Sequence, residues 1–440
     1  MSASSALVEP VPRVQRDSWT RLLYLQLGAF AFFLYAFSPS IDLLRDDLHL
    51  SASVAGLHST CYAVGVTLGG VTAPWYIRRA GGARPALWWG LVGLSLAVAL
   101  FCAVPALAVT LTAAAICGVF GSWLCIAVPS ALSRAHGPEI GPAAITEANA
   151  VAALVGIAAP LAVGGAAAAG LGWRVALLAV APLSGVLYAV LGRVREPELL
   201  VADVEQVVFE AVALQGAEQA PEQMAERISG LVSEQTSEQA SVPAPRTSGA
   251  ASVRTLPRRF WINQLAGVCA GAIEFCLTLW CATLLRDRAG LSAGVAATGV
   301  TAVVAGMAAG RLVGGRLALR MAIDRLILGA FATNLLGFAI FWAATNPVLM
   351  FAGLAVAGLG VSLQFPLISA RGIELSGGRA ELAGAVNMFG SGIAVGTAPF
   401  ALGFLSDRVG IHTAYLMLPA FIVVAAVAVT ASGTRVETRG

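Results

Sequence analysis

The run CAGAIEFCLTLWCATLL, Cys269 to Leu285, holds a single carboxylate, Glu274, with no other charged residue within ten positions on either side. Placing such a group in the middle of a hydrocarbon layer costs at least about 2.5–3.5 kcal/mol. Glu274 is therefore expected to face a partner or a water-filled path. There a carboxyl could take a proton from one side and release it to the other, or contact a solute. The competing assignment is a protonated Glu hydrogen-bonded to a neighbouring helix.

Other polar groups sit in apolar runs. Tyr35 and Ser38 lie in the first, His58 about two turns into the second, and Trp123 in the middle of the fourth. Asn263 opens the seventh, Gln364 lies in the tenth and Asn387 in the eleventh. Each fits either contact with a bound solute or a hydrogen bond between helices. Histidine titrates nearest neutrality, but His58 is weighed toward a structural role. A charged set, Arg134, Glu147, Arg311, Arg371 and Glu381, lies near run ends. Such residues could pair to close one mouth of a pathway, or simply snorkel to the interface.

The elements that must carry these groups follow from composition. The chain has 440 residues, 58% hydrophobic and 12% charged, against about a quarter charged in soluble domains. Apolar runs of membrane-crossing length recur along nearly all of it. Helices are predicted at 21–43, 52–77, 84–104, 106–133, 142–169, 172–193, 260–285, 291–319, 325–344, 346–370, 379–404 and 411–432. The expected organisation is an all-α membrane protein: a tail over 1–20, six helices over 21–193, a linker over 194–257, six helices over 258–432 and a tail over 433–440. The linker is rich in Glu, Gln, Ala and Ser and reads as largely disordered. No cleavable signal peptide is evident, so the first span is expected to serve as its own insertion signal. Arginines cluster at 78, 79, 84, 320 and 325 and on both flanks of the linker. Positive charge marks the cytoplasmic side, so both termini are expected in the cytoplasm of a cell-membrane protein.

The two halves repeat. Pro129 and Arg134 in VPSALSRAHG match Pro366 and Arg371 in FPLISARGIE at a shift of 237, and Gly65, Gly69 and Arg79 match Gly306, Gly310 and Arg320 at a shift of 241. Repeats of six helices are a property of secondary transporters, with the solute site between the repeats near mid-bilayer. Twelve spans, the repeat and the long central linker resemble the major facilitator superfamily. GGVTAPWYIRRAGGARPALW (69–88) is similar to that family's Gly-x-x-x-Asp-Arg-x-Gly-Arg-Arg loop without its Asp, and GRLVGGRLALRMAIDR (310–325) is similar in the second half. GIAAPLAVGG (156–165) resembles the Gly-Pro motif of proton-coupled drug antiporters with Ala159 in place of a glycine; IEFCLTLWCATLLRDRAGLSAG (273–294) resembles helix 7 of fucose-permease-like members.

The resemblance implies two six-helix bundles rocking about a central site lined by helices 1, 4, 7 and 10. That favours Tyr35, Trp123, Glu274 and Gln364 over Asn263, His58 and Asn387 as cavity groups. It implies alternating-access transport of a small organic solute with Glu274 as the proton-coupling or substrate group. With no evident cation at mid-depth, symport of a neutral metabolite is expected; efflux of an amphipathic cationic compound is the alternative, and a non-transporting receptor or scaffold the reading of another class. The expected partners are a small solute, protons and lipid, with a monomeric chain. The net charge of +3 gives no basis for nucleic-acid binding. The seven cysteines all fall in predicted spans and read as packing residues. There is no phosphate-binding Gly-x-x-x-x-Gly-Lys loop, metal-ligand spacing or serine elbow, so neither an ATP-driven pump, an enzyme, a metal nor a cofactor is expected.

Overall fold

The computed structural model describes residues 14–80, 82–197, 256–318, 320–377 and 380–433. Most of the linker expected over 194–257 and most of both tails lie outside them. Among the described residues all regular structure is helical. Within these residues twelve helices are long and apolar enough to cross a membrane: α1 (Ser18–Asp47), α2 (Ala52–Arg79), α3 (Ala83–Ala103), α4 (Leu107–Gly137), α5 (Ala143–Ala168), α6 (Trp173–Leu191), α7 (Arg258–Ala289), α8 (Ala293–Gly314), α9 (Ile323–Ala343), α10 (Pro347–Leu375), α11 (Phe389–Val409) and α12 (Ile411–Ala431). Each overlaps one expected span, with ends within about five residues except at the start of α11, ten residues later than expected.

Their starts have local causes. Asp17 Oδ1 accepts the Thr20 amide at 2.7 Å ahead of α1, and Asn346 accepts from Val348 and Leu349 ahead of α10, with Pro347 in the first turn. Such side chains satisfy amides that a helix leaves without a partner, and proline fits the first turn because its missing N–H is not needed there. Between α4 and α5 the helical path is broken at one point, Gly137, with φ of 72°. Only glycine adopts that left-handed geometry without a steric penalty, so the expected loop shrinks to a one-residue hinge.

In the first bundle α4 and α5 pack against α1, α2 and α3; in the second α10 packs against α7, α8 and α9. Without a hydrophobic drive between helices in lipid, close approach depends on small residues. The repeat places them equivalently. A Cβ on Gly65 would overlap the Ala115 carbonyl where α2 crosses α4, and a Cβ on Gly306 would overlap the Ala355 carbonyl where α8 crosses α10.

The bundles meet mainly through α2 against α11, α5 against α8 and α1 against α7. Among the described residues every hydrogen bond or ion pair joining them lies in the half of the molecule away from the termini. Asp42 bonds Thr283 and Arg286, Asp407 bonds the start of α2, Thr60 donates to the Gly396 carbonyl, and Thr301 to that of Ile157. The far end is closed. On the terminal side Val71 and Trp75 of α2 and Leu312 of α8 stand exposed.

Candidate functional site: a central cavity under a closed far end

A cavity of about 430 Å³ opens at mid-depth between the bundles. Its wall is mostly apolar, from Phe30, Leu34, Met307 and Phe365 among others, and it carries Tyr35, Tyr62, Ser122, Ser391, Glu274 and Arg311. Glu274 comes from the middle of α7, about 22 Å along the helix from its far end at 1.5 Å per residue. Neighbouring glycines make room for the aromatic wall. Gly156 of α5 leaves space that a Cβ would take from the Tyr35 ring, and Gly121 of α4 does the same for Phe30. The α7 backbone is held by its own bundle: Trp280 donates to the Pro399 carbonyl at 2.9 Å and Tyr415 to the Cys276 carbonyl at 3.3 Å.

Glu274 also borders a tighter space toward the closed end, with Tyr35, Ser38, Ser59, Tyr62 and Thr278 around it. No hydrogen bond from a described residue reaches its carboxyl oxygens; the nearby Thr278 hydroxyl donates instead to the Glu274 backbone carbonyl at 2.9 Å. The hydroxyls of Ser38 and Ser391, both on cavity walls, are buried without a protein partner. Arg311 lines the main cavity together with Glu274. The expectation of no cation at mid-depth is therefore corrected. Arg311 lies near the terminal end of α8, where its position suggested a mouth residue, but a guanidinium on a long stem reaches back toward the centre.

The remaining candidates are distributed as follows. Tyr35 joins Glu274 on the cavity wall. Trp123 instead stacks on Tyr76 with ring centres 4.9 Å apart and donates to Thr72 at 3.0 Å. Its neighbour Ser122 faces the cavity; one helical step turns a side chain by about 100°. His58 is fully buried, its ring nitrogens 3.0 Å from the Ala55 carbonyl and 2.9 Å from Thr110 Oγ1. Asn263 donates to the Ile368 carbonyl at 3.0 Å, and Asn387 to Ser369 at 2.5 Å. Gln364 is buried with neither amide atom bonded, off the cavity wall.

Of the charged set near the terminal side, Glu147 takes Arg16 at 2.9 Å and Tyr24 at 3.2 Å. Arg134 pairs with Glu196 at 3.0 Å. Arg371, only 3% exposed, pairs with Asp324 at 2.9 Å and donates to Ser432 at 3.0 Å. Each of these contacts lies within a single bundle. The Glu381 side chain lies outside the described residues.

Sequence reading passed over the far-end closure. Asp42, 2% exposed, accepts from Thr283 Oγ1 at 2.5 Å and Arg286 Nη1 at 3.1 Å, and Asp46 holds the same guanidinium at 2.5 Å. Asp407 of α11 accepts the Ala52 and Ser53 amides of α2 at 2.7 and 2.8 Å, and the Ser53 hydroxyl as well. A carboxylate there meets unpaired N–H donors and the positive end of the α2 dipole together. The available signal was DLLRDDLHL and LSDRVG, acids at the ends of spans that lie next to each other across the bundle interface. Among the described residues no group of three or more His, Cys, Asp or Glu is placed to hold a metal.

The comparisons agree with this architecture. The family model described as Major Facilitator Superfamily matches residues 23–399. No curated protein matches the chain. Among solved structures, a bacterial homolog to the human lysosomal transporter Spinster, in an inward-facing and occupied conformation, aligns with a TM-score of 0.70 at 14% identity, over 95% of this chain and 97% of that one. The D-xylose-proton symporter aligns at 0.67 and 12%, over 95% and 97%, and the nucleoside transporter NupG at 0.66 and 14%, over 94% and 98%. At such identities the likeness carries the fold, and the assignment rests on a family model spanning both bundles: this chain belongs to the major facilitator superfamily, as a multi-pass membrane transporter rather than an enzyme.

Proposed function

We propose that the chain moves a small organic solute by alternating access, driven by a proton gradient acting through Glu274. The observation that carries this reading is a lone carboxylate at mid-depth, on the wall of a cavity between two bundles, with no hydrogen bond from a described residue. A structural acid would be expected to have a fixed partner. A coupling acid needs one that changes, and among the described residues the charged side chain that shares the cavity with it is Arg311. With the termini in the cytoplasm of the cell membrane, as the arginine distribution suggests, the closed far end faces outward and the cavity faces inward. A monomer suffices, since both bundles lie in one chain.

Uptake symport is the preferred direction. The sequence alone favours a neutral metabolite on the ground that no cation stands at mid-depth, and Arg311 removes that ground; it also weighs against efflux of an amphipathic cation. Arg134, Glu147 and Arg371 act in this state as braces within bundles, leaving Asp42, Asp46 and Asp407 as the described acids that join the bundles.

The test is a thermal-shift ligand screen on purified protein at two pH values, then flux of each hit into proteoliposomes with and without an imposed pH gradient. Glu274→Gln is expected to fold and bind but to lose gradient-driven accumulation. Accumulation by the variant equal to the parent's would refute the role of Glu274, and hits without flux would favour a receptor.

A further inference from the structure

We infer that the central cavity takes an amphipathic anion, a carboxylate on an apolar body, with Arg311 receiving the anion and Glu274 taking up one proton for each anion bound. The inference rests on the proton-coupled reading above and adds the substrate class and the stoichiometry.

The argument is one of charge balance in a poorly solvating space. The titratable groups on the wall are Tyr35 from α1, Tyr62 from α2, Cys125 from α4, Glu274 from α7 and Arg311 from α8; α10 and α11 contribute none among the described residues. Tyrosine and cysteine are ordinarily neutral at pH 7, so the charge rests on Arg311 and Glu274. With Glu274 ionised before a solute arrives, these two sum to zero. Arg311 has no carboxylate of the described residues within ion-pair distance, and it stands exposed into the space. Its five donors are free to take a carboxylate in bidentate fashion.

An arriving anion leaves the cavity with one uncompensated negative charge among apolar walls, which is strongly disfavoured. A proton from solution on Glu274 restores neutrality: the carboxylate becomes a carboxylic acid, Arg311 keeps its proton, and the anion stays ionised against Arg311. Anion and proton therefore enter and leave together. A neutral solute gives no such reason for proton uptake, and a cation would meet Arg311. The apolar wall accounts for the rest of the solute.

The probes are 2-naphthoate, 2-naphthamide and 2-naphthylmethylammonium, which share one apolar body and differ in charge. Binding to the purified full chain is followed by tryptophan fluorescence, and proton uptake by an indicator dye in weak buffer. The expected result is preferential binding of the carboxylate with about one proton taken up per anion. Its affinity should then rise about tenfold per unit fall in pH where the free protein is deprotonated at Glu274. Glu274→Gln should bind 2-naphthoate without proton uptake and without pH dependence. Arg311→Gln should lose the preference for the carboxylate over the amide, and Arg311→Lys should retain most of it. Failure of the carboxylate to bind, equal binding of the three probes, or carboxylate binding without proton uptake in the parent overturns the inference, whether or not either variant folds. A parent that prefers the amide while still accumulating solutes on a pH gradient would sink the anion assignment alone. Anion preference with gradient-driven accumulation intact in Glu274→Gln would sink the coupling role instead.

Discussion

Replacing Asp42 with Asn tests what holds the far end shut. Asp42 is nearly inaccessible and joins α1 to Thr283 and Arg286 of α7. Asparagine keeps an oxygen for the Thr283 hydroxyl but loses the charge facing Arg286. A hydrogen bond to a charged group is worth about 1.5–3 kcal/mol. The lower figure applies, because Arg286 is 30% exposed and keeps Asp46 at 2.5 Å. A loss of about 1.5 kcal/mol confined to the closed state raises the far-open population about tenfold, at about 1.4 kcal/mol per factor of ten. The readout is Ser59→Cys, a buried position on the wall of the tight space beneath the closure, labelled from the far side by a membrane-impermeant maleimide. Its labelling rate follows the open fraction and should rise about tenfold when Asp42→Asn is added. Arg286→Gln, which gives up both acids, should raise it further. Arg45→Gln should leave it unchanged, since Arg45 pairs with Asp42 within α1 at 3.9 Å. A change under twofold in Asp42→Asn would show that the buried ion pair does not hold the closure.

Three further outcomes are expected. Gly306→Ala should lower the thermal midpoint through about 1–3 kcal/mol of overpacking against the Ala355 carbonyl, while Gly70→Ala, where a Cβ meets open space, should not; equal midpoints would refute the packing role. His58→Ala should cost about 1–3 kcal/mol by leaving buried partners unpaired yet leave the pH profile of transport as in the parent, and a displaced profile would make His58 a coupling residue. Arg371→Met should destabilise the chain by about 3 kcal/mol, the low end for breaking a buried pair because Asp324 is 35% exposed. It should leave far-side labelling of Ser59→Cys unchanged, and altered labelling would restore Arg371 as a gate.

The helices were legible because a hydrocarbon solvent demands long apolar runs with all backbone groups paired inside them. The site was legible only where chemistry alone singles out a residue. Glu274 stood out because a mid-span acid has few stable alternatives. Tyr35 was one of several polar residues, and the family's lining helices selected it. The same rule misplaced Trp123 and Gln364, since a lining helix presents only one face. On α10 that face carries Ser362, Phe365 and Pro366, and Gln364 is turned from it by one residue's rotation. His58 and Asn263 have partners 52 and 105 positions away, and no local pattern encodes such satisfaction. Arg311 was hidden because span position fixes where a Cα lies, not where a long guanidinium stem delivers its charge.

The grip of Asp407 on the start of α2 has an unusual dependence on side chains. Two of its donors are main-chain amides, which every residue but proline supplies. The exposed position 53 can therefore vary while these two amide bonds persist, although buried Ala52 must stay small, so their upkeep falls on a single codon in the opposite half of the gene. A proline at position 52 would suit a first helical turn and delete one donor, weakening the closed state without adding charge.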